Sequence, residues 1–493
     1  MSRLVSSYLK KLAALHGIDF ADDLDHSRLF DIHRWSDNPE VTAAVDLIYP
    51  DLVRLMAGHH KDSVKKHLRV VMLNLYAAWL ENSCMYVAYH RNRNAYRPRS
   101  RYNALKIGIT TVDVIDALAS LGYVETHKGF RSRERHTSRI SRMGGTQSVI
   151  DLIQACRIAP QMAGLFAKAE CIVLRRRTAK SDDEKLGRVE VEYRDTPETR
   201  RMRVVLARYN DLIAASDIRL TPADDVPEGQ PPAVNLDRKF TRRIFNGSFE
   251  QGGRFYGGWW VNFPSDWRSQ ITINGMRTAE LDYRALHAVM LYAQRGINYP
   301  AMGRGDPYDL PAYRAYPWAR KLQKKAFHIA VNAGSRSAAA KALGKSFPNG
   351  DAEGQAIRTA LGGRLSGVLD DLADFHALIR DAFYSDVGVK LQFLESQMAE
   401  HTIDDMTGRG VPVLCVHDSF LIQRDRVMEL GVLMAQAYGR IVRDAYGLDL
   451  PEEDLGIGLK ANDPLWAGNI GLVVNSLLPV LSARNIRFNP DQY

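Results

Sequence analysis

The chain has 493 residues, 45% of them hydrophobic and 25% charged, a composition that allows ordinary buried cores and a soluble surface. No apolar run approaches the ~18 residues that a membrane span needs. The beginning of the chain lacks the apolar centre and cleavage site of a secretory signal. The four cysteines are scattered without a CxxC pair, which argues against a structural zinc site and indicates reduced thiols. We therefore expect a cytoplasmic protein with no membrane partner.

The net charge of +9 is unevenly distributed along the chain. Arginine and lysine crowd the segments 91–101, 128–142, 174–180, 194–208 and 238–254. Such clusters attract phosphate backbones by releasing counterions, without reading base sequence. A solvated face is an equally ordinary explanation for any single cluster, but several in one chain favour a polyanionic partner.

Residues 1–165 carry mainly helical patterns, for example the 3.6-residue apolar spacing from Val64 to Leu80. Within this region Thr111 is placed to cap a short amphipathic helix, Gly122 would end that helix, and a short strand would follow. Five arginines come next: Arg131, Arg133, Arg135, Arg139 and Arg142.

This order of helix, strand and basic segment over residues 105–142 resembles the recognition helix and wing of a winged-helix module, a relative of the helix-turn-helix that docks on DNA. The resemblance implies that Arg131, Arg133 and Arg135 contact DNA. The alternative is an ordinary helix and hairpin that pack internally.

Residues 166–235 predict a basic helical connector. An amphipathic helical pattern covers residues 200–217, with arginines opposite its apolar face. The polar, proline-rich stretch at 221–232 is typical of a semi-rigid linker or an exposed loop. We place the main domain boundary there and expect residues 236–493 to carry the chemistry.

Two aspartates lie at the ends of predicted strands. A strand pattern leads into Asp282, and a helical pattern begins at Leu286. Much later, two apolar strands are joined at His417-Asp418, which places Asp418 at a hairpin tip. Charge at the end of an apolar strand pair is costly unless a cation compensates it. Two such carboxylates can hold two magnesium ions about 3.5–4 Å apart, whereas the alternative is two unrelated surface aspartates.

These aspartates belong to a series of motifs in a known order. The segments are Gly253–Tyr256, Arg268 to Tyr283, Gly305–Tyr308, Val416–Ser419 and Leu455–Trp466. Over roughly residues 240–470 the chain resembles the polymerase core of family A DNA polymerases and, more loosely, the single-subunit phage-type RNA polymerases. The resemblance implies that Asp282 and Asp418 bind two Mg²⁺ ions, or Mn²⁺ in their place, with the Tyr283 carbonyl as a further ligand. It also implies nucleic-acid contacts for a further set: Gly253, Arg254, Arg268 and His417.

The helical pattern from Trp318 to Gly334 resembles motif B, in which Arg-x3-Lys spacing puts two cations on one helix face. Such cations bind the triphosphate of an incoming nucleotide. Two registers are open. Arg320 with Lys324 keeps the spacing, whereas Lys321 with Lys325 better matches the distance to Gly334. A solvated basic helix face is the alternative to both.

Two positions of the nucleotide site depart from the family pattern. An aromatic residue of motif B is replaced by His328 or Ile329, and the glutamate that excludes a ribose 2′-hydroxyl in DNA-making members is replaced by His287. Histidine is bulky enough to act as such a gate, so deoxynucleotides are favoured, with Tyr283, His287 and His328 beside the nucleotide. The run His417–Phe420 is closer to the RNA polymerase version of motif C, which leaves the choice of sugar open.

Two further predictions concern the primer end and proofreading. The helix before motif C carries Gln392 and Glu395, which the resemblance places near the primer terminus, although one polar helix face explains them equally well. Before residue 240 the Asp-x-Glu triplet of a 3′–5′ exonuclease occurs only within the charged run at Asp182–Glu184. We therefore predict no proofreading exonuclease.

The predicted fold is α+β: a right-hand polymerase with an antiparallel palm sheet and helical fingers, preceded by a mainly helical N-terminal region with a winged-helix module. The connector at 166–235 would be thumb-like. The predicted protein is a nucleotidyltransferase, favoured as a DNA polymerase, that extends a primer on a DNA template with nucleoside triphosphates. The alternatives are a single-subunit RNA polymerase or primer-independent synthase, and a DNA-binding replication initiator or regulator with an inactive polymerase core.

Overall fold

The structure is a computed structural model that describes residues 24, 27–132, 137–164, 166, 168–177, 188–221, 234, 236, 238–451, 454, 459–461 and 470–484. The chain divides into two compact units. Unit 1 comprises Met1–Cys171 with Gly229–Phe240, and unit 2 comprises Ile172–Glu228 with Thr241–Tyr493. Among the described helices, none is both long enough and apolar enough to cross a lipid bilayer.

Unit 1 combines helices with a small sheet. The helices are α1 (Pro39–Leu55), α2 (Lys61–Glu81), α3 (Thr110–Ser120) and α4 (Gln147–Ala155). The strands are β1 (Ser27–Leu29), β2 (Tyr86–Tyr89), β3 (Val124–His127), β4 (Phe130–Ser132), β5 (Thr137–Arg139) and β6 (Ser141–Gly145). The sheet has the order β1-β2-β6-β3, in which only β1 and β2 are parallel, and β4 and β5 form a separate hairpin.

The apolar spacing that predicted a helix from Val64 to Leu80 is explained by α2, which lies at the centre of the core of unit 1. Its apolar side chains Val64, Leu68, Val71 and Leu75 are almost fully buried. Removing this much apolar surface from water is the main stabilising contribution to the unit.

Around α3, the predicted order of helix and strand is present, with two corrections. The helix begins at Thr110, and Thr111 is completely buried in its first turn, so Thr111 is not the capping residue. Among the described residues of the N-terminal region there are also five strands besides the predicted one, each of three to five residues, which is too short to show a period-two pattern. Gly122 ends the helical segment with a φ of +80°. Arg133 and Arg135, and the side chain of Arg131, lie outside the described part of the chain.

Unit 2 combines helices with two sheets. The helices are α5 (Pro197–Ala215), α6 (Ser265–Arg268), α7 (Leu286–Ala293), α8 (Ala319–Asn332), α9 (Arg336–Ser346), α10 (Ala352–Ala360), α11 (Gly367–Phe375), α12 (Gly388–Gly408), α13 (Val427–Tyr446) and α14 (Ile470–Arg484). The strands are β7 (Ile172–Arg177), β8 (Arg188–Glu190), β9 (Ile218–Leu220), β10 (Arg242–Asn246), β11 (Ser248–Tyr256), β12 (Ile271–Ile273), β13 (Met276–Tyr283), β14 (Leu414–Val416), β15 (Ser419–Gln423) and β16 (Leu459–Ala461).

The two sheets of unit 2 give it an α+β architecture. One sheet has the order β11-β10-β7-β8, and the other has the order β14-β15-β13-β12-β9 with β16 beside β13. All pairs in the second sheet are antiparallel. Helix α12 packs on β11 and on α13. The helices α8 to α11 lie between β13 and β14 in the chain.

The division between the units differs from the predicted boundary at 221–232. Strand β7 pairs with β10, and the Tyr209 hydroxyl of α5 donates a hydrogen bond of 2.8 Å to the carbonyl of Val413. Most of the predicted connector, residues 172–228, therefore belongs to unit 2, whereas its two ends, residues 166–171 and 229–235, are assigned to unit 1. Periodicity along the chain could not show this, because it is the strand pairing that decides it.

Within unit 1, His67 of α2 predicts acid sensitivity. Its Nε2 accepts a hydrogen bond of 2.9 Å from the Gly108 N–H, and its Nδ1 lies 2.6 Å from the Ser63 carbonyl, so the ring is neutral and Nδ1 carries the proton. Burial lowers the pKa of His67 from 6.5 to about 4. The unfolded chain therefore takes up a proton first, and stability that is complete above pH 6.5 is lost as the pH falls towards 4.

We expect the free energy of unfolding to drop by about 2 kcal/mol from this group between pH 7 and pH 5. Urea denaturation followed by circular dichroism at the two pH values measures the change. His67→Gln, which keeps an acceptor for the Gly108 N–H, should show a correspondingly smaller drop. An equal drop in parent and variant would exclude His67 as the cause.

Candidate active site

The two aspartates singled out in the sequence lie at the same end of two neighbouring antiparallel strands. Asp282 of β13 is directly opposite Ser419 of β15 in the strand register. The next residue, Tyr283, donates its backbone N–H to the carbonyl of Asp418 at 3.4 Å. Residues 136 positions apart in the chain are thus neighbours in the sheet, as the prediction of a strand end and a hairpin tip requires.

The backbone is strained next to both aspartates. Ala285, between β13 and α7, has a φ of +48°, and His417, beside Asp418 in the two-residue turn between β14 and β15, has a φ of +61°. Non-glycine residues adopt this left-handed conformation at a cost of order 1–3 kcal/mol, and such strain is concentrated at functional sites. Packing therefore holds the segments that follow β13 and β14 in defined conformations.

A buried carboxylate, Glu395 of α12, links three elements beside the aspartates. It is 1% exposed and accepts two hydrogen bonds from the Arg254 guanidinium of β11, at 2.7 and 2.5 Å. Its Oε2 also lies 2.9 Å from Nε2 of His287 on α7. Burial by itself raises the pKa of Glu395, but the bonds from His287 and Arg254 outweigh it and hold the pKa below the ordinary value. Glu395 is therefore a stable negative charge.

That negative charge acts on Asp418. Burial, and after it the charge of Glu395, raises the pKa of Asp418 above its ordinary value, while Arg254 opposes the rise. The buried hydroxyl of Tyr308 is affected by the same aspartates: burial raises its pKa, and the charges of Asp306, Asp418 and Asp282 add to the rise. Acidic groups are thus concentrated at this end of the sheet, where a bound cation would relieve their repulsion.

A second set of contacts stabilises the β14–β15 hairpin. Ser419 donates its hydroxyl to Oε1 of Glu280 at 2.7 Å, and the same carboxylate lies 3.1 Å from the guanidinium of Arg268. Arg268, predicted to contact nucleic acid, is half-buried in this ion pair. Glu280 was not singled out from the sequence, although its position two residues before Asp282 on the same strand was a usable signal.

Helix α12 carries another buried carboxylate, Glu400, which resembles Glu395 in its contacts. Arg243 of β10 is 2% exposed and donates to Glu400 at 2.6 Å, to Ser396 at 3.1 Å and to the Gly253 carbonyl at 2.9 Å. Gly253 has a φ of +78°, and a side chain there would collide with Ser396. Packing against α12 therefore explains the glycine that was predicted to contact nucleic acid.

The cations of α8 differ in how they are used. Arg320 donates to Asp306 at 2.7 Å, and Lys321 donates to Glu353 of α10 at 2.6 Å. Lys324 and Lys325 are exposed and have no ion-pair partner among the described residues. These four side chains and His328 line a cavity of 680 Å³. Unpaired lysines in a cavity are suited to hold a phosphate-rich anion.

The basic helix places both candidate lysines near His328. Burial lowers the pKa of His328 to about 3, and the positive charges of His287, Lys324 and Arg254 contribute to the fall. Lys324 and His328 are four residues apart and share a helix face. Lys325, three residues from His328, is a helix neighbour of it as well, so both registers bring a lysine close to His328.

The remaining predicted residues are close to this cluster. The ring of His417 lies 5.2 Å from that of Tyr256, and burial lowers the pKa of His417. The rings of His287 and His328 are 5.6 Å apart, so these two predicted nucleotide contacts are adjacent. Gln392 is half-buried on α12, one turn before Glu395. Tyr283 is buried, and its hydroxyl donates to the Met434 carbonyl at 2.7 Å, so its side chain is engaged within the fold.

The side chains of Asp282 and Asp418 suit magnesium. Asp282 and Asp418 supply oxygen ligands in a region of crowded negative charge, which suits a hard divalent cation that keeps several waters. Among the described residues, no group of three or more His, Cys, Asp or Glu side chains is arranged to hold a metal ion. The two aspartates therefore fit a site completed by water and by substrate phosphates, and do not fit a closed structural metal site.

Comparison with known proteins adds one similarity. No protein-family model and no curated protein matches the chain. Among solved structures, the POL domain of Pol1 from M. smegmatis, in complex with DNA primer-template and dNTP, aligns with a TM-score of 0.28 and 11% sequence identity. The alignment covers 87% of this chain and 66% of that chain, so the chain spans slightly less than two thirds of that length. A TM-score this low does not establish a shared fold, and the function proposed below rests on the geometry of the site.

The cavity beside α8 leads to a prediction about anion binding. Lys324→Ala should weaken binding of inorganic tripolyphosphate about tenfold, because an unpaired ammonium group and its charge-assisted hydrogen bond are lost. Lys321→Ala is the matched control, since Glu353 already neutralises that lysine, and it should change affinity much less. Isothermal titration calorimetry measures both. A larger loss for Lys325→Ala than for Lys324→Ala would favour the register of Lys321 with Lys325.

Proposed function

We propose that the protein is a template-directed nucleic-acid polymerase, with DNA synthesis favoured, that adds nucleotides to a 3′-hydroxyl without a proofreading exonuclease. The observation that carries the proposal is the pairing of β13 with β15, which brings Asp282 and Asp418 to one end of an antiparallel sheet. The cationic cavity of α8 adds a second component, because His328, which lines it, is adjacent to His287 of the same cluster.

In this proposal the residues of the chain divide the work of nucleotidyl transfer. Lys324, with Arg320, binds the triphosphate and stabilises the charge that develops on the leaving pyrophosphate. His287 and His328 form one wall of the nucleotide site. Arg254, part of whose guanidinium is engaged by Glu395, presents the rest of its side chain to template or primer.

Asp282 and Asp418, with the Tyr283 carbonyl, would hold Mg²⁺. When bound, the two ions supply Lewis-acid activation of the 3′-hydroxyl and neutralise the phosphate charge. Asp418 has to be ionised for this role. Because its pKa is raised in the metal-free site, we propose that protons compete with Mg²⁺ for Asp418 as the pH falls.

Primer extension tests the proposal directly. With primed DNA template, deoxynucleoside triphosphates and Mg²⁺, Asp282→Ala and Asp418→Ala should each lower the extension rate by about 10³-fold or more, because the charge that binds the metal is lost. Asp217→Ala is the control, since this exposed aspartate beside β9 is paired with Arg219 in the same sheet unit. Extension by Asp418→Ala at the parent rate would refute the proposal.

The choice of sugar can be tested at His287. His287→Ala removes the side chain that stands beside His328, so the ratio of kcat/KM for deoxynucleotides over ribonucleotides should fall about tenfold. Glu395→Gln, which weakens the bond that orients His287, should lower the ratio to a smaller extent. Single-nucleotide incorporation with each sugar measures these ratios. A parent enzyme that prefers ribonucleotides would instead identify an RNA polymerase.

Glu400→Gln is the matched control for Glu395→Gln. Both carboxylates are buried on α12 and both accept hydrogen bonds from an arginine of the β10–β11 hairpin. Both substitutions should therefore lower stability, but only Glu395 contacts His287. Equal shifts of the sugar ratio in the two variants would mean that loosening of the fold, rather than the orientation of His287, is responsible.

A further inference from the structure

A loop of unit 1, residues 90–106, concentrates positive charge that the proposed function does not use. From Asn82 to Val112 the chain has no aspartate or glutamate. The cations within the loop are Arg91, Arg93, Arg97, Arg99, Arg101 and Lys106. We call residues 90–106 the cationic loop.

The cationic loop is ordered by its own hydrogen bonds. The Asn103 amide donates to the Tyr96 carbonyl at 2.6 Å and to the Ile107 carbonyl at 2.8 Å, and its oxygen accepts from the Ile107 N–H at 2.9 Å. The Tyr96 hydroxyl donates to the His90 carbonyl at 2.6 Å. Asn103 and Tyr96 are buried. The exposed cations are therefore held in place before any ligand binds, which lowers the entropy that binding would cost.

Arg91 and Arg101 of the loop are held in ion pairs, whereas other cations of the loop are exposed to solvent. Arg101 is paired with the buried carboxylate of Glu170 at 3.2 Å. Arg93, Arg99 and Lys106 are exposed, and no ion pair of theirs occurs among the described residues.

Like charges also approach each other at the end of the loop. Burial lowers the pKa of Lys66, and the charge of Lys106 lowers it further. The exposed cations without ion pairs and the repulsion between Lys66 and Lys106 both favour a ligand with several negative charges.

The neighbouring helix α3 has the opposite character. It contains no lysine or arginine, and its solvent side carries Asp113 and Asp116. Asp116 accepts two hydrogen bonds from Arg91 of the cationic loop, at 2.7 and 2.5 Å. An acidic helix face is repelled by phosphates, so α3 is unsuited to lie in a groove as a recognition helix.

The aromatic residues of the loop indicate which form of nucleic acid fits. Proteins that hold single strands stack bases on exposed aromatic rings. Tyr96 and Tyr102 are each only 5% exposed, so neither tyrosine of the loop offers a stacking surface. Cations without such rings suit the phosphate backbone of a double helix, where the bases are already stacked on each other.

We propose that the cationic loop is a binding site for double-helical nucleic acid, contacted through its phosphate backbone, and that this loop rather than α3 is the docking surface of unit 1. Binding depends on salt and is independent of base sequence. The residues of the cationic loop belong to unit 1, whereas Asp282 and Asp418 belong to unit 2.

The test measures binding of the full-length protein to a short blunt DNA duplex by fluorescence anisotropy over a series of salt concentrations. Arg93→Ala with Arg99→Ala should weaken binding at least about tenfold at 0.1 M salt and reduce the slope of log K against log salt by about 1.8, since each lost phosphate contact contributes ~0.9. Asp116→Asn, which releases Arg91, should leave binding unchanged or tighten it.

The matched control is Arg54→Ala with Lys65→Ala, which removes two cations of the same unit that are paired with Asp51 and Asp46. An equal loss in the two double variants would overturn the proposal, as would weaker binding by Asp116→Asn, because α3 would then be a contact surface. The affinity for a duplex RNA of the same sequence, measured in the same way, shows whether the loop binds double-helical DNA, double-helical RNA or both. An equal loss of affinity for single-stranded DNA would overturn the assignment to duplexes.

Asp418→Ala separates this inference from the proposed function. That variant should bind the blunt duplex as the parent does, and Arg93→Ala with Arg99→Ala should retain extension at saturating primer–template. Loss of duplex binding in Asp418→Ala would assign the measured binding to unit 2 and overturn the inference, whatever the outcome of the extension assay.

Discussion

The organisation of the candidate site depends on a buried negative charge, that of Glu395. An isolated carboxylate in the interior would cost several kcal/mol, and its burial is tolerated only because Arg254 and His287 both bind it. These contacts fix β11, α7 and α12 relative to each other, and they do so beside Asp418. Burial and, after it, the same charge raise the pKa of Asp418, so the group that orders the site also contributes to its electrostatic character. Structure and chemistry are therefore coupled through one side chain.

The buried ion pairs near Glu395 are rigid, whereas the lysines of α8 are exposed. The pair of Arg243 with Glu400 repeats the contact of Arg254 with Glu395 five residues further along α12, so the β10–β11 hairpin is held twice. Left-handed residues next to both aspartates add backbone strain that only a firmly packed surrounding can maintain. The unpaired lysines of α8, in contrast, lie on an exposed face and keep their conformational freedom until an anion binds. This arrangement combines fixed carboxylates with adaptable cations.

In unit 1, acidic and basic residues lie on different elements. The acidic residues of its short helix α3 face solvent next to a loop that has only cations, and one ion pair, Arg91 with Asp116, joins the two. A helix followed by a hairpin is a common DNA-binding shape, yet the shape does not specify which element makes the contact. Charge decides that question, because phosphate repels carboxylates over distances comparable with the Debye length.

The sequence by itself determined the features that depend on neighbours a few residues apart. The strand and helix around Asp282, the hairpin at Asp418 and the basic helix α8 all follow from local periodicity and turn chemistry. Tertiary structure alone decided which charges remain available. Arg254 and Glu395 are 141 residues apart, and the assignment of β7 to unit 2 and the burial of Thr111 likewise depend on distant partners. The physical reason is that a Coulomb or hydrogen-bonding partner is selected by distance in space, which periodicity along the chain does not encode.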